Sequence, residues 1–60
     1  MITAADKLAC IKRELGYRRR VYERRLAQKT MTKQQADHEI ACMEAIAADL
    51  RISVEKARLI

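Results

Sequence analysis

The sequence predicts an all-α protein: an antiparallel helical hairpin, with or without a short third helix at its C-terminal end, assembled into a homo-oligomeric bundle. Three observations predict it. The 60 residues contain no Pro, no Phe, no Trp and one Gly, and Ala, Arg, Glu, Lys, Leu and Gln, all good helix formers, dominate. Two apolar stripes recur at three- and four-residue steps, each preceded by a capping box. Only about four residues separate the stripes, a connection that makes consecutive helices antiparallel neighbours.

The whole chain, 1–60, reads as a single helical domain. Helix 1 covers about 4–28, the turn 29–32 and helix 2 about 33–50, with a tail or short helix over 53–60. Thr3 is the first N-cap, with Asp6 as the acidic member of its box. From there Ala4, Leu8, Ile11, Leu15, Tyr22 and Leu26 fall within roughly 60° of arc on a helical wheel, the stripe of an amphipathic helix. Gly16 lies off the stripe and weakens the helix by about 1 kcal/mol relative to Ala. It leaves room for a neighbouring backbone to approach closely. A weaker line of Cys10, Tyr17 and Val21 runs behind the stripe and offers a further subunit contact.

The segment QKTMT supplies the turn. Thr32 and Gln35 form the second capping box, and Met31 and Ala36 have the spacing of a hydrophobic staple. The second stripe is Ala36, Ile40, Met43, Ala47 and Leu50, with Ile46 at its edge. RISVEKARLI could continue it through Val54 and Ala57. A break is favoured, because Ile52 would otherwise face away from the seam; Ser53 would then cap a third helix bearing Val54, Ala57 and Leu59 or Ile60.

A chain this short buries only about 60% of the surface its unfolded form exposes, and domains of this size usually need a staple. Two cysteines, Cys10 and Cys42, are too few for a disulfide framework. MITAADKLACIKREL has no uninterrupted apolar core, so neither a signal peptide nor a membrane span is expected. A cytoplasmic, reducing setting with free thiols follows. Self-association is then the favoured way to complete the core, for instance as a four-helix bundle.

The net charge of +5 is uneven. Residues 1–30 hold nine Lys/Arg against three Asp/Glu, and residues 31–60 hold four against five. Much of the asymmetry comes from YRRRVYERR, residues 17–25, with five arginines and two tyrosines. On the wheel Arg20 and Arg24 point outward. Arg18 and Arg25 occupy places where the heptad rhythm calls for apolar side chains, Arg19 borders the same stripe, and Tyr22 lies between them. The seam thus turns cationic and aromatic in its second half, a break in pattern of the kind functional sites produce.

Two readings compete for this stretch. Glu39 should lie near Tyr22 and Arg25 across the hairpin, so it could pair with Arg18 or Arg25 while their aliphatic stems cover Tyr22 and Leu26. Yet Glu39 cannot neutralise Arg18, Arg19 and Arg25 together, and a buried cationic excess calls for an anion. A phosphate fits, because guanidinium groups bind it bidentately and Tyr22 or Tyr17 offers a face on which a base can stack. The stretch spans about 13 Å of helix, which suits a compact nucleotide better than a long polymer. No zinc finger, zipper or convincing helix-turn-helix is present. In an oligomer, two copies of the cluster could line one pocket.

Other chemistry has little support. His38 and Cys42 stand at i, i+4, but two ligands do not make a closed metal site, and no metal or other cofactor is expected. A His–Cys pair on a two-helix chain has no evident oxyanion donor, which points away from catalysis. Asp37, Glu44 and Asp49 do not cluster and read as solubilising charges.

RRRVYERR and MTKQQADHEIACMEAIAADL together resemble a group of small uncharacterised phage and prophage proteins. That group's pattern runs Arg-Arg-x-Val-Tyr, a turn, Met-Thr, then Ala-x-x-Glu-Ile-x-x-Met-x-Ala-Ile. Arg18, Arg19, Val21, Tyr22, Met31, Thr32, Glu39, Ile40, Met43, Ala45 and Ile46 stand at matching places, and the similarity covers most of residues 8–50. Two positions depart: Glu23 stands where relatives often have Pro, which would start a new helical segment, and Lys29 where they have Gly.

The resemblance implies a viral accessory protein acting in the bacterial cytoplasm, where small phage proteins commonly disarm host defences. Joined to the residues, it yields the functional expectation. The protein is a non-catalytic binder that sequesters a phosphate-bearing ligand, a nucleotide immune signal first among them. Arg18, Arg19 and Arg25 would hold phosphates, Tyr22 would stack on a base, and Glu39 would orient an arginine or accept from the ligand. The alternatives are an inhibitor that binds a host protein directly and a small nucleic-acid-binding protein.

Overall fold

The computed structural model describes residues 1–59 and shows two α-helices packed against each other as a hairpin, with no strand among the described residues. Helix α1 runs Ala4–Ala27 and α2 runs Lys33–Arg58. The molecule measures 48 × 18 × 13 Å, a slab two helices wide and one thick.

Both starts are capped as the sequence predicts. The Thr3 N–H donates to Asp6 Oδ2 at 3.0 Å, and the Asp6 N–H donates back to Thr3 Oγ1 at 3.1 Å. Thr32 and Gln35 repeat the reciprocal pair, each bond 3.1 Å long. Two backbone donors that a helix start leaves unpaired are thereby satisfied at each site. The acceptor role holds the Asp6 carboxyl below its usual pKa, through the Thr3 backbone N–H first and the Thr3 hydroxyl second.

The end of α1 is a Schellman motif around Lys29. The Thr30 N–H donates to the Arg25 carbonyl at 3.0 Å and the Lys29 N–H to the Leu26 carbonyl at 3.1 Å. This geometry puts Lys29 in the left-handed region, at φ 59°, a conformation that favours glycine. Glu23, by contrast, lies inside unbroken helix.

Three expectations are corrected. The favoured break at Ser53 does not occur, since α2 continues to Arg58. The Ser53 hydroxyl donates to the Asp49 carbonyl one turn back, at 3.3 Å, a bond that fits mid-helix serine. The reason for continuation is length: the helices have 24 and 26 residues, and an α2 ending at Leu50 would leave Ala4 and Leu8 uncovered. Half-buried Val54 carries the seam on, while Ile52 simply stays exposed. Ile60, the alternative apolar residue of that third helix, lies outside the described residues.

Gly16 is the second correction. A Cβ built there meets nothing within 4 Å, so no neighbouring backbone requires a glycine. The third concerns Leu26, which is exposed at the turn end rather than part of the covered stripe.

The seam itself follows the predicted stripes but is thin. Leu15, Tyr22, Ala36 and Ala47 are buried, and Ala4, Leu8, Ile11, Ile40, Met43, Leu50 and Val54 are half-buried. Two helices give each stripe one partner where a bundle would give it two.

Candidate functional site

At about 100° per residue, neighbouring arginines in α1 must diverge, and they do. Arg18 and Arg25 reach one broad face of the slab, where they line an open groove of about 580 Å³. Tyr17, Val21 and Tyr22 join them from α1, Gln35 and Glu39 face them from α2, and Thr30 and Met31 close the end at the turn. Four of the five predicted site residues are therefore brought together: Arg18, Tyr22, Arg25 and Glu39.

Arg19 is not among them. It flanks the seam on the other side, where its Nη2 lies 3.4 Å from Glu44 Oε1, so Glu44 is an ion-pair partner as well as a solubilising charge.

Arg18 is the best-held cation of the groove. Its Nε donates to Glu14 Oε1 at 2.6 Å and its Nη1 to the Tyr22 hydroxyl at 3.2 Å. The Tyr22 hydroxyl first, and the Glu14 carboxylate second, push the Arg18 pKa above its already high ordinary value. Both partners are one helical turn away, so the guanidinium is oriented by its own helix. The remaining donors of its planar fork stay available to a ligand.

The cluster differs from the expected one in three physical respects. No charged residue is buried among the described residues, and the Arg18 side chain is 44% exposed. Water therefore already solvates the cationic excess, and burial imposes no demand for an anion. Neither Arg25 nor Glu39 forms an ion pair with another described residue, so the expected Glu39–arginine pairing is absent there. Finally, the two tyrosines differ in exposure. Tyr22 is 6% exposed and belongs to the seam, whereas Tyr17 is 55% exposed and presents the ring on which a flat group can stack.

Glu14, which orients Arg18, is the residue of this cluster that sequence reasoning missed. Its signal was present: an acid four residues before an arginine on a helix is the favoured order for an ion pair.

Elsewhere, His38 Nε2 and Cys42 Sγ lie 3.6 Å apart on the outside of α2. No group of three or more His, Cys, Asp or Glu that could hold a metal exists among the described residues. Cys10 and Cys42 are both free and exposed. Asp37 pairs with Lys33 at 3.3 Å. Among the described residues no helix is long and apolar enough to cross a membrane. No family model, no curated protein and no solved structure matches the chain, and the groove must be read from its own chemistry.

Proposed function

We propose that the protein binds a compact phosphate-bearing ligand in the turn-end groove and holds it without turning it over. One observation carries this reading. Two arginines and an exposed tyrosine ring share a groove, and one of those arginines is already oriented by Glu14 and Tyr22. Preorganised guanidinium donors suit phosphate oxygens, and an open aromatic face suits a nucleobase. Arg18 and Arg25 hold phosphate, Tyr17 stacks on the base, Tyr22 positions Arg18, and Glu39 accepts from a ribose or base donor. Arg19 takes no part, being committed to Glu44 on the opposite flank.

The groove is open, and its polar groups are two guanidinium groups, hydroxyls, one amide and one carboxylate, an arrangement for retention rather than for bond cleavage. The resemblance to small phage and prophage proteins favours a nucleotide immune signal as the ligand and a bacterial cytoplasm as the setting. The thin seam favours self-association, because exposed Ile2, Ile46 and Ile52 leave apolar surface that a second copy can cover.

Calorimetry against a panel of cyclic and linear nucleotides tests the binding. One member should bind, and Arg18→Leu should weaken it by roughly tenfold to a hundredfold while leaving the helical fold intact. No binding across the panel, or undiminished binding by Arg18→Leu, overturns the proposal. Salt-sensitive binding to long DNA or RNA in place of any nucleotide would assign the arginines to nucleic acid.

A further inference from the structure

The same broad face carries a second groove towards the open end of the hairpin, and its chemistry is different. Ile2, Cys10 and Ile11 of the α1 side and Ile46 and Leu50 of α2 form its floor and walls. Ile2 is 74% and Ile46 49% exposed, an apolar surface left in water. Around it stand Asp6, Lys7, Glu14, Arg18 and Asp49, charges of both signs.

We propose that this groove is the interface of a twofold dimer in which α1 of one copy packs antiparallel on α1 of another, centred beside Cys10 and Ile11. This rests on the reading that the chain self-associates, and adds the face and the register. Two features select a second copy as the occupant. In a twofold interface one patch must complement itself, and here the centre is apolar and the rim carries both signs. Lys7 and Glu14 lie equally far on either side of the Cys10–Ile11 midpoint. An axis there sets Lys7 of each copy level with Glu14 of the other, twice over. The two turn-end grooves then lie at opposite ends of the dimer and remain open, so they do not merge into one pocket.

The cysteines read out the register. Both are exposed, but only Cys10 sits beside the axis; Cys42 lies nearer the turn, far from its own copy. Full-length chain carrying Cys42→Ser should cross-link efficiently through Cys10 with a short bismaleimide. Chain carrying Cys10→Ser should not, which also controls for random collision. Ile46→Asp should raise the dimer dissociation constant by roughly thirtyfold or more. Because that variant alters an apolar residue, a charge pair provides an independent check at surface positions. Lys7→Glu and Glu14→Lys should each weaken the dimer, and the two together should restore it.

Sedimentation separates the two ways to fail. A wild-type monomer at micromolar concentration overturns both the self-association and this face. A wild-type dimer with Cys10 silent, or with Cys42 cross-linking instead, overturns the face and leaves self-association standing.

Discussion

Towards the turn, the broad face presents Arg18, Arg25 and Tyr17; towards the open end, it presents Ile2, Ile11, Ile46 and Leu50. Both regions are cut from the same two helices and share Arg18 at their border. At the turn end the seam beneath the surface is secured by a buried tyrosine, which leaves the outer positions free for cations. At the open end the larger apolar side chains stay on the surface, where they can serve association but contribute less within one chain. The difference is one of chemistry on a single face: cationic and aromatic at the turn end, apolar at the open end.

Substitutions in the two regions should therefore separate stability from assembly. Tyr22→Ala removes a buried ring and should cost about 3–5 kcal/mol, enough to unfold a domain of this size at ambient temperature. Ile46→Ala at the open end should cost a single chain less than about 1 kcal/mol, since the residue is 49% exposed. Its main effect should be a weaker dimer. Denaturant titration of monomer and dimer at several protein concentrations measures both. Equal losses from the two variants would erase the distinction between the regions.

Tyr17→Ala sharpens the turn end itself. It should change stability by no more than about 0.5 kcal/mol while weakening nucleotide binding by roughly fivefold to a hundredfold, the loss of one stacked base. Tyr22→Phe should keep the fold and weaken binding less, because it removes a positioning bond to Arg18 and no ligand contact. Undiminished binding by Tyr17→Ala in calorimetry would remove Tyr17 as the stacking residue.

Two backbone positions, one in the turn that ends α1 and one in mid-helix, should yield gains. Lys29→Gly relieves a left-handed residue, and Gly16→Ala fills open space in mid-helix. Each should stabilise by about 1 kcal/mol, or roughly 4–8 °C in melting temperature.

The smallest effect lies at the open end, in pH. Asp6 has a depressed pKa in the folded chain, so its contribution is complete above the unfolded value of about 3.9. It is lost as pH falls through the folded value. Thr3→Ala and Asp6→Asn should both flatten the acid limb of stability below about pH 4, measured by thermal melts across pH 2–6. Unchanged slopes would remove the capping box as the cause.

How much of this was legible in the sequence varied with the range of the interaction. Both capping boxes, the turn and the two stripes are local patterns, and each stands in the structure where its residues place it. The continuation of α2 past Leu50 was not legible from local signals. Its cause is the length of α1, a partner more than forty residues away in sequence. The exposure of Arg18 was misjudged for a related reason, whereas Tyr22 is buried as its place on the stripe requires. A heptad rhythm tells which side of a helix faces its neighbour but not how wide that neighbour is. One facing helix covers the tyrosine and leaves the arginines on either flank in water.

The short turn around Lys29 also sets an order for folding. Residues facing each other across the hairpin grow further apart in sequence with distance from it: Arg25 and Gln35 are ten residues apart, Ile11 and Leu50 thirty-nine. Closing the longer loop first costs about 1 kcal/mol more in chain entropy, so pairing should begin at the turn and travel outward. The ligand groove would then form early, and the apolar groove last. Newly made chains would carry the proposed ligand groove before they carry the proposed dimer face.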